Sequence, residues 1–67
     1  MEKGWERIYF TDKPHIVSIV RSLLKENDIE SIEVNKKDSS YAFGDIEIFV
    51  KEEDVIFAKI LIQQKHL

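Results

Sequence analysis

Ammonium groups, hydroxyls and a phenol gather in one short stretch, Lys36-Lys37-Asp38-Ser39-Ser40-Tyr41-Ala42-Phe43-Gly44. Two lysines, two serines and a run of backbone amides can cradle a phosphate or a carboxylate. Tyr41 and Phe43 can add a stacking surface, so Lys36, Lys37, Ser39, Ser40 and Tyr41 are the candidate ligand contacts. The competing reading is a solvated loop in which Asp38, Ser39 and Ser40 make local turn bonds and the aromatics fold over the sheet. Loops often carry function, yet the glycine pattern of a phosphate-binding loop is missing here. Both readings stay open.

Catalysis needs a nucleophile with a base, paired carboxylates or a metal. Ser39 and Ser40 have no His or Asp at a recognised motif spacing. His15 falls in the first turn of a helix and His66 in the C-terminal tail, too far apart in sequence for a ligand-spacing motif. The chain has no cysteine, which excludes disulfides and thiolate metal sites. The expectation is a non-enzymatic protein without metal or cofactor.

A second candidate is a sheet face. Period-2 alternation in the first strand groups Trp5, Arg7, Tyr9 and Thr11 on one side and Glu6, Ile8 and Phe10 on the other. With helices covering the second set, Trp5, Tyr9 and Phe49 project outward beside Arg7, Glu33 and Glu47. Aromatics on such a face suggest base stacking, but the acids repel a phosphate chain and the glycine-aromatic consensus of RNA-binding sheets is absent. Aromatics with arginine are also the usual anchors of protein contacts, which makes Trp5, Arg7, Tyr9 and Phe49 candidate interface residues. The alternative is that the 36–44 loop or the N-terminal arm covers them.

The elements that must position these groups follow from periodicity. Trp5 to Thr11 is aromatic and β-branched, hence a strand. Thr11-Asp12-Lys13-Pro14 starts a helix, with Asp12 as the expected cap and Pro14 in the first turn, where no donor is needed. Ile16, Val17, Val20, Leu23 and Leu24 form its apolar stripe, and Asn27-Asp28 ends it through the left-handed conformation that Asn tolerates. Residues 29–35 form a second strand with Ile32 and Val34 facing in. Gly44 to Val50 form a third, with Ile46, Ile48 and Val50 on one side and Glu47 and Phe49 on the other. Glu52-Glu53-Asp54 places negative charge where a helix N-terminus stabilises it, which makes Val55 to Gln64 the second helix. Its β-rich, nearly all-apolar composition also permits a strand. As a helix it carries more apolar surface than one face can bury, which points to a partner.

The order β-α-β-β-α is that of ferredoxin-like α+β folds short of a final strand. Two helices then cover one face of a three-stranded sheet. The crossover rule places the third strand between the first two, or the first in parallel beside the third. The expected core is Ile8, Phe10, Val20, Leu24, Val34, Ile48 and Ala58.

Sixty-seven residues are expected to form one domain, residues 1–67, with a core of marginal size. At 43% hydrophobic and 34% charged the chain is a folding one rather than a disordered one. The net charge is −3, and the surplus lies in residues 29–50, where five acids face two lysines. That sign disfavours nucleic acid. Neither a signal-peptide h-region nor a membrane-spanning run is present, so a cytoplasmic location is expected.

The run Asn35-Lys36-Lys37-Asp38-Ser39-Ser40-Tyr41, then Gly44 to Val50, Glu53-Asp54 and Ala58, resembles an uncharacterised prokaryotic domain family described as putative signal-transducing proteins. The likeness covers nearly the whole chain, including Tyr9-Phe10-Thr11 leading into a helix. Asp28 departs from it, because such sequences often have Gly there. The resemblance implies a ferredoxin-like fold akin to nitrogen-regulatory PII-type proteins, and fold alone does not fix function. The expected role is a small regulatory domain that pairs with itself or another protein. The alternative is a monomeric sensor of a small anion through the 36–44 loop.

Overall fold

The computed structural model describes residues 4–35 and 46–67. Strand β1 runs Trp5–Thr11, helix α1 Pro14–Glu26, strand β2 Ser31–Asn35 and strand β3 Ile46–Lys51. A 3-10 turn, Glu52–Asp54, leads into helix α2, Val55–Gln64. The strands lie in the order β1-β3-β2, with β3 antiparallel to both neighbours. Both helices pack on the side of the sheet that carries Ile46, Ile48 and Val50, which is the ferredoxin-like α+β arrangement. The final segment is helical, and β3 is the central strand.

The start of α1 is set by Pro14. A residue before proline is pushed to extended backbone, and Lys13 is extended (φ −106°, ψ 107°), so Lys13 rather than Asp12 becomes the N-cap. No side chain caps the helix amides. The neighbouring turn is held instead by the Thr11 hydroxyl, which accepts the Lys13 N–H at 3.2 Å.

Both helices end in the same way. After α1, Asp28 takes a left-handed φ of 60°, the Ile29 N–H donates to the Leu24 carbonyl at 2.9 Å, and the Asp28 N–H donates to Lys25 at 3.1 Å. After α2, His66 takes φ 58°, Leu67 donates to Ile62 at 3.3 Å and His66 to Gln63 at 3.0 Å. These are Schellman motifs, which satisfy carbonyls that the helix leaves open. The left-handed residue is Asp28, not Asn27. The Asn27 amide donates to the Leu23 carbonyl at 2.9 Å instead. Ile29 therefore belongs to the cap and not to β2.

Val17, Val20, Leu24 and Ile29 meet Ile46, Ile48 and Val50 and, from α2, Ala58 and Ile62. Burying each of the larger side chains contributes about 1.5–3 kcal/mol. Val20, Leu24, Ile48 and Ala58 of the expected core are fully buried. Ile8 and Val34 are only half-buried, and Phe10 is 55% exposed.

A bulge explains Phe10. Arg7 pairs with Phe49 and Tyr9 with Ile48, so Ile8 has no opposite number. The inserted residue reverses the alternation beyond it. Tyr9 and Thr11 then share the helix side with Ile48 and Ile46, while Phe10 lies beside Glu47 on the other side. Tyr9 packs against the core together with Ile8, contrary to its expected outward placement.

Strand β2 is also turned over relative to expectation. Ile32 pairs with Phe49 and Val34 with Glu47, which puts both on the side facing away from α1 and α2, and Glu33 pairs with Ile48 on the helix side. Arg21 of α1 is the reason this works. Its guanidinium donates to the Ser31 hydroxyl at 3.1 Å, the Ser31 carbonyl at 3.3 Å and the Glu33 carboxylate at 3.3 Å, so polar residues can face a helix.

Candidate functional site

The side of the sheet that faces away from α1 and α2 assembles Trp5, Arg7 and Phe10 from β1, Glu47 and Phe49 from β3, and Ile32 and Val34 from β2. At its centre the Arg7 guanidinium donates to the Glu47 carboxylate at 2.6 Å. Arg7 also lies over the Phe10 ring, 4.9 Å from its centroid, a cation–π distance. Glu47 is only 7% exposed although it points away from the main core. Phe10 and Val34 pair with it from the strands on either side, and Arg7 is hydrogen-bonded to it. Of the expected interface residues, Trp5, Arg7 and Phe49 share this side and Tyr9 does not. Phe10 stands where Tyr9 was expected. No alternation in the sequence marks the exchange.

Helix α2 presents a second surface. Ile56, Phe57 and Ile60 are 76%, 47% and 45% exposed, while Ala58 and Ile62 are buried on the opposite side. Spacings of three and four place Ile56, Phe57, Ile60 and Gln64 along one stripe. The excess of apolar residues in this helix is thus presented to solvent.

The candidate ligand contacts Lys36, Lys37, Ser39, Ser40 and Tyr41 lie outside the described residues. Elsewhere, a groove of about 370 Å³ runs between α1 and the start of β2, lined by Arg21, Ser22, Lys25, Ile29, Glu30 and Ser31. Arg21 is committed there to Ser31 and Glu33, and Glu30 of the same wall pairs with Lys51 at 3.6 Å. Among the described residues, no three His, Asp or Glu side chains cluster as metal ligands, and no buried side-chain nitrogen or oxygen lacks a hydrogen-bond partner. His15 and His66 are both exposed. Among the described residues no helix is long and apolar enough to cross a membrane.

The described residues thus offer an apolar outer stripe on α2 and a sheet face of aromatics around an arginine–glutamate pair. No curated protein and no solved structure matches the chain. Residues 5–65 match the family model described as putative prokaryotic signal transducing protein, and the chain belongs to that family.

Proposed function

We propose that this protein is a small regulatory domain that works by associating with itself. The observation that carries the reading is the exposure of Phe10, Ile19, Ile56, Phe57 and Ile60 on a 67-residue chain. Large apolar side chains left in water at this density lower the free energy of any contact that covers them. A small core also gains stability from subunit contact, because a partner that binds the folded state shifts the folding equilibrium.

Three surfaces are available for this. Trp5, Arg7 and Phe49, with Phe10 beside them, form the sheet face. The outer edge of β1 offers backbone groups for strand pairing. The outer stripe of α2 is the third. A melting temperature that rises with protein concentration is the expected result, since dissociation then accompanies unfolding. A melting temperature independent of concentration contradicts self-association.

The second reading is a monomeric sensor of a small anion through Lys36, Lys37, Ser39, Ser40 and Tyr41. It is favoured by the local pair of lysines within an acidic segment. Titration with inorganic phosphate and with nucleotides, followed by amide chemical shifts, tests it. Shifts at residues 36–44 that weaken with salt support the sensor, and silence there across the panel removes it.

A further inference from the structure

Resting on the reading that the domain self-associates, we infer that the contact is α2 against α2 of a second copy, antiparallel about a two-fold axis. The argument begins with elimination. Pairing along the β1 edge meets the bulge between Arg7 and Tyr9, which breaks the even spacing a strand partner needs and is a common guard against edge pairing. Covering the sheet face requires full desolvation of Arg7, now half exposed, together with Glu47. Withdrawing a hydrated guanidinium costs much of what its ion pair returns. Trp5, Ile32, Val34 and Phe49 on that face are already half-buried, and Phe10, at 55%, is its one large apolar residue as exposed as those of α2 among the described residues.

The α2 stripe has neither obstacle. Ile56, Phe57 and Ile60 are its most exposed large residues, and Lys59 is the sole charge within the helix. A helix apolar on nearly every side is stable when its outer side is covered as well.

Charge chooses the occupant and its direction. Glu52, Glu53 and Asp54 form the 3-10 turn that leads into α2, whereas residues 55–67 carry Lys59 and Lys65 and no acid. A surface acidic at one end and basic at the other is complementary to its own copy turned through a two-fold. An axis passing between Phe57 and Ile60 sets Phe57 of each copy against Ile60 of the other. Glu52 and Glu53 then lie near Gln64 and Lys65 of the second copy. Parallel packing would instead stack three acids on three acids. Antiparallel packing also opposes the two helix dipoles favourably. The rim charges fix direction more than strength.

The test compares sedimentation of the wild-type chain with that of Ile60→Lys, with far-UV circular dichroism as the check on folding. The expected result is a wild-type dimer and loss of the dimer in the variant at unchanged helix content. A wild-type dimer that persists in Ile60→Lys overturns the α2 contact and leaves self-association standing. A wild-type monomer overturns both. Cross-linking covers the case in which Ile60→Lys fails to fold, and the absence of cysteine makes it clean. Ile60→Cys should couple into dimers with a short bismaleimide, and Phe10→Cys on the other side of the sheet should not. The reverse pattern assigns the contact to the sheet face and ends the inference.

Discussion

Ile29 donates its backbone N–H to the Leu24 carbonyl at 2.9 Å, and both side chains are buried in the core. This bond, with that from Asp28 to Lys25, closes α1 and turns the chain toward the edge strand β2. The pair Leu67 and Ile62 repeats the device after α2, with Leu67 packed on the same core.

That geometry forces Asp28 to φ 60°, where an L side chain crowds the backbone and glycine does not. Asp28→Gly should raise unfolding stability by about 0.5–1 kcal/mol, and Asp28→Val should lower it by more than that. Urea denaturation of the two variants reads both signs. A destabilised Asp28→Gly contradicts the cap.

Core truncation should separate two residues that the sequence alone ranks together. Leu24 is fully buried and Phe10 is 55% exposed. Leu24→Ala should cost about 2–5 kcal/mol, while Phe10→Ala should cost about 1 kcal/mol or less. Equal losses in denaturant midpoint would mean that the bulge in β1 is misplaced.

Much of this is legible in the amino-acid sequence. The β1 limits follow from a β-branched and aromatic run, and the α2 limits from an acidic turn followed by apolar residues. Alternation correctly put Ile46, Ile48 and Val50 on one side, because every second residue of a central strand meets the helices. It could not locate the bulge, since composition does not mark it and its effect is only to reverse Tyr9, Phe10 and Thr11. Nor could it orient β2. Ile32 and Val34 alternate with polar residues whichever side they face, and the choice is made by Arg21, distant in sequence, pairing with Ser31 and Glu33. The exposed stripe of α2 was foreseeable from its composition. Of the residues expected to project from the sheet face, Trp5, Arg7, Glu47 and Phe49 lie there, while Tyr9 and Glu33 face the helices and Phe10 takes the place of Tyr9.

Arg7 and Glu47 bring a third expectation. Glu47 is nearly buried and accepts from Arg7 at 2.6 Å. Arg7→Ala removes a charged donor from a desolvated carboxylate and should cost about 1–3 kcal/mol. Because Arg7 is half exposed, water relieves part of that loss. A double-mutant cycle with Glu47→Gln measures the coupling. Additive losses would show that the pair contributes nothing.

Arg21 should matter locally rather than globally. Its bond to Glu33 is at the surface, where such pairs contribute about 0–1 kcal/mol. Arg21→Ala should therefore leave global stability within about 1 kcal/mol while raising hydrogen exchange at the β2 amides Ser31 to Asn35. Unchanged exchange in β2 would remove Arg21 as its anchor.

Self-association is the claim on which the functional account rests, and the mass of the unmodified chain in solution tests it most directly. Sedimentation equilibrium should give twice the 7.9 kDa chain mass, falling toward the single-chain value on dilution. A constant 7.9 kDa across the accessible concentration range would contradict the account.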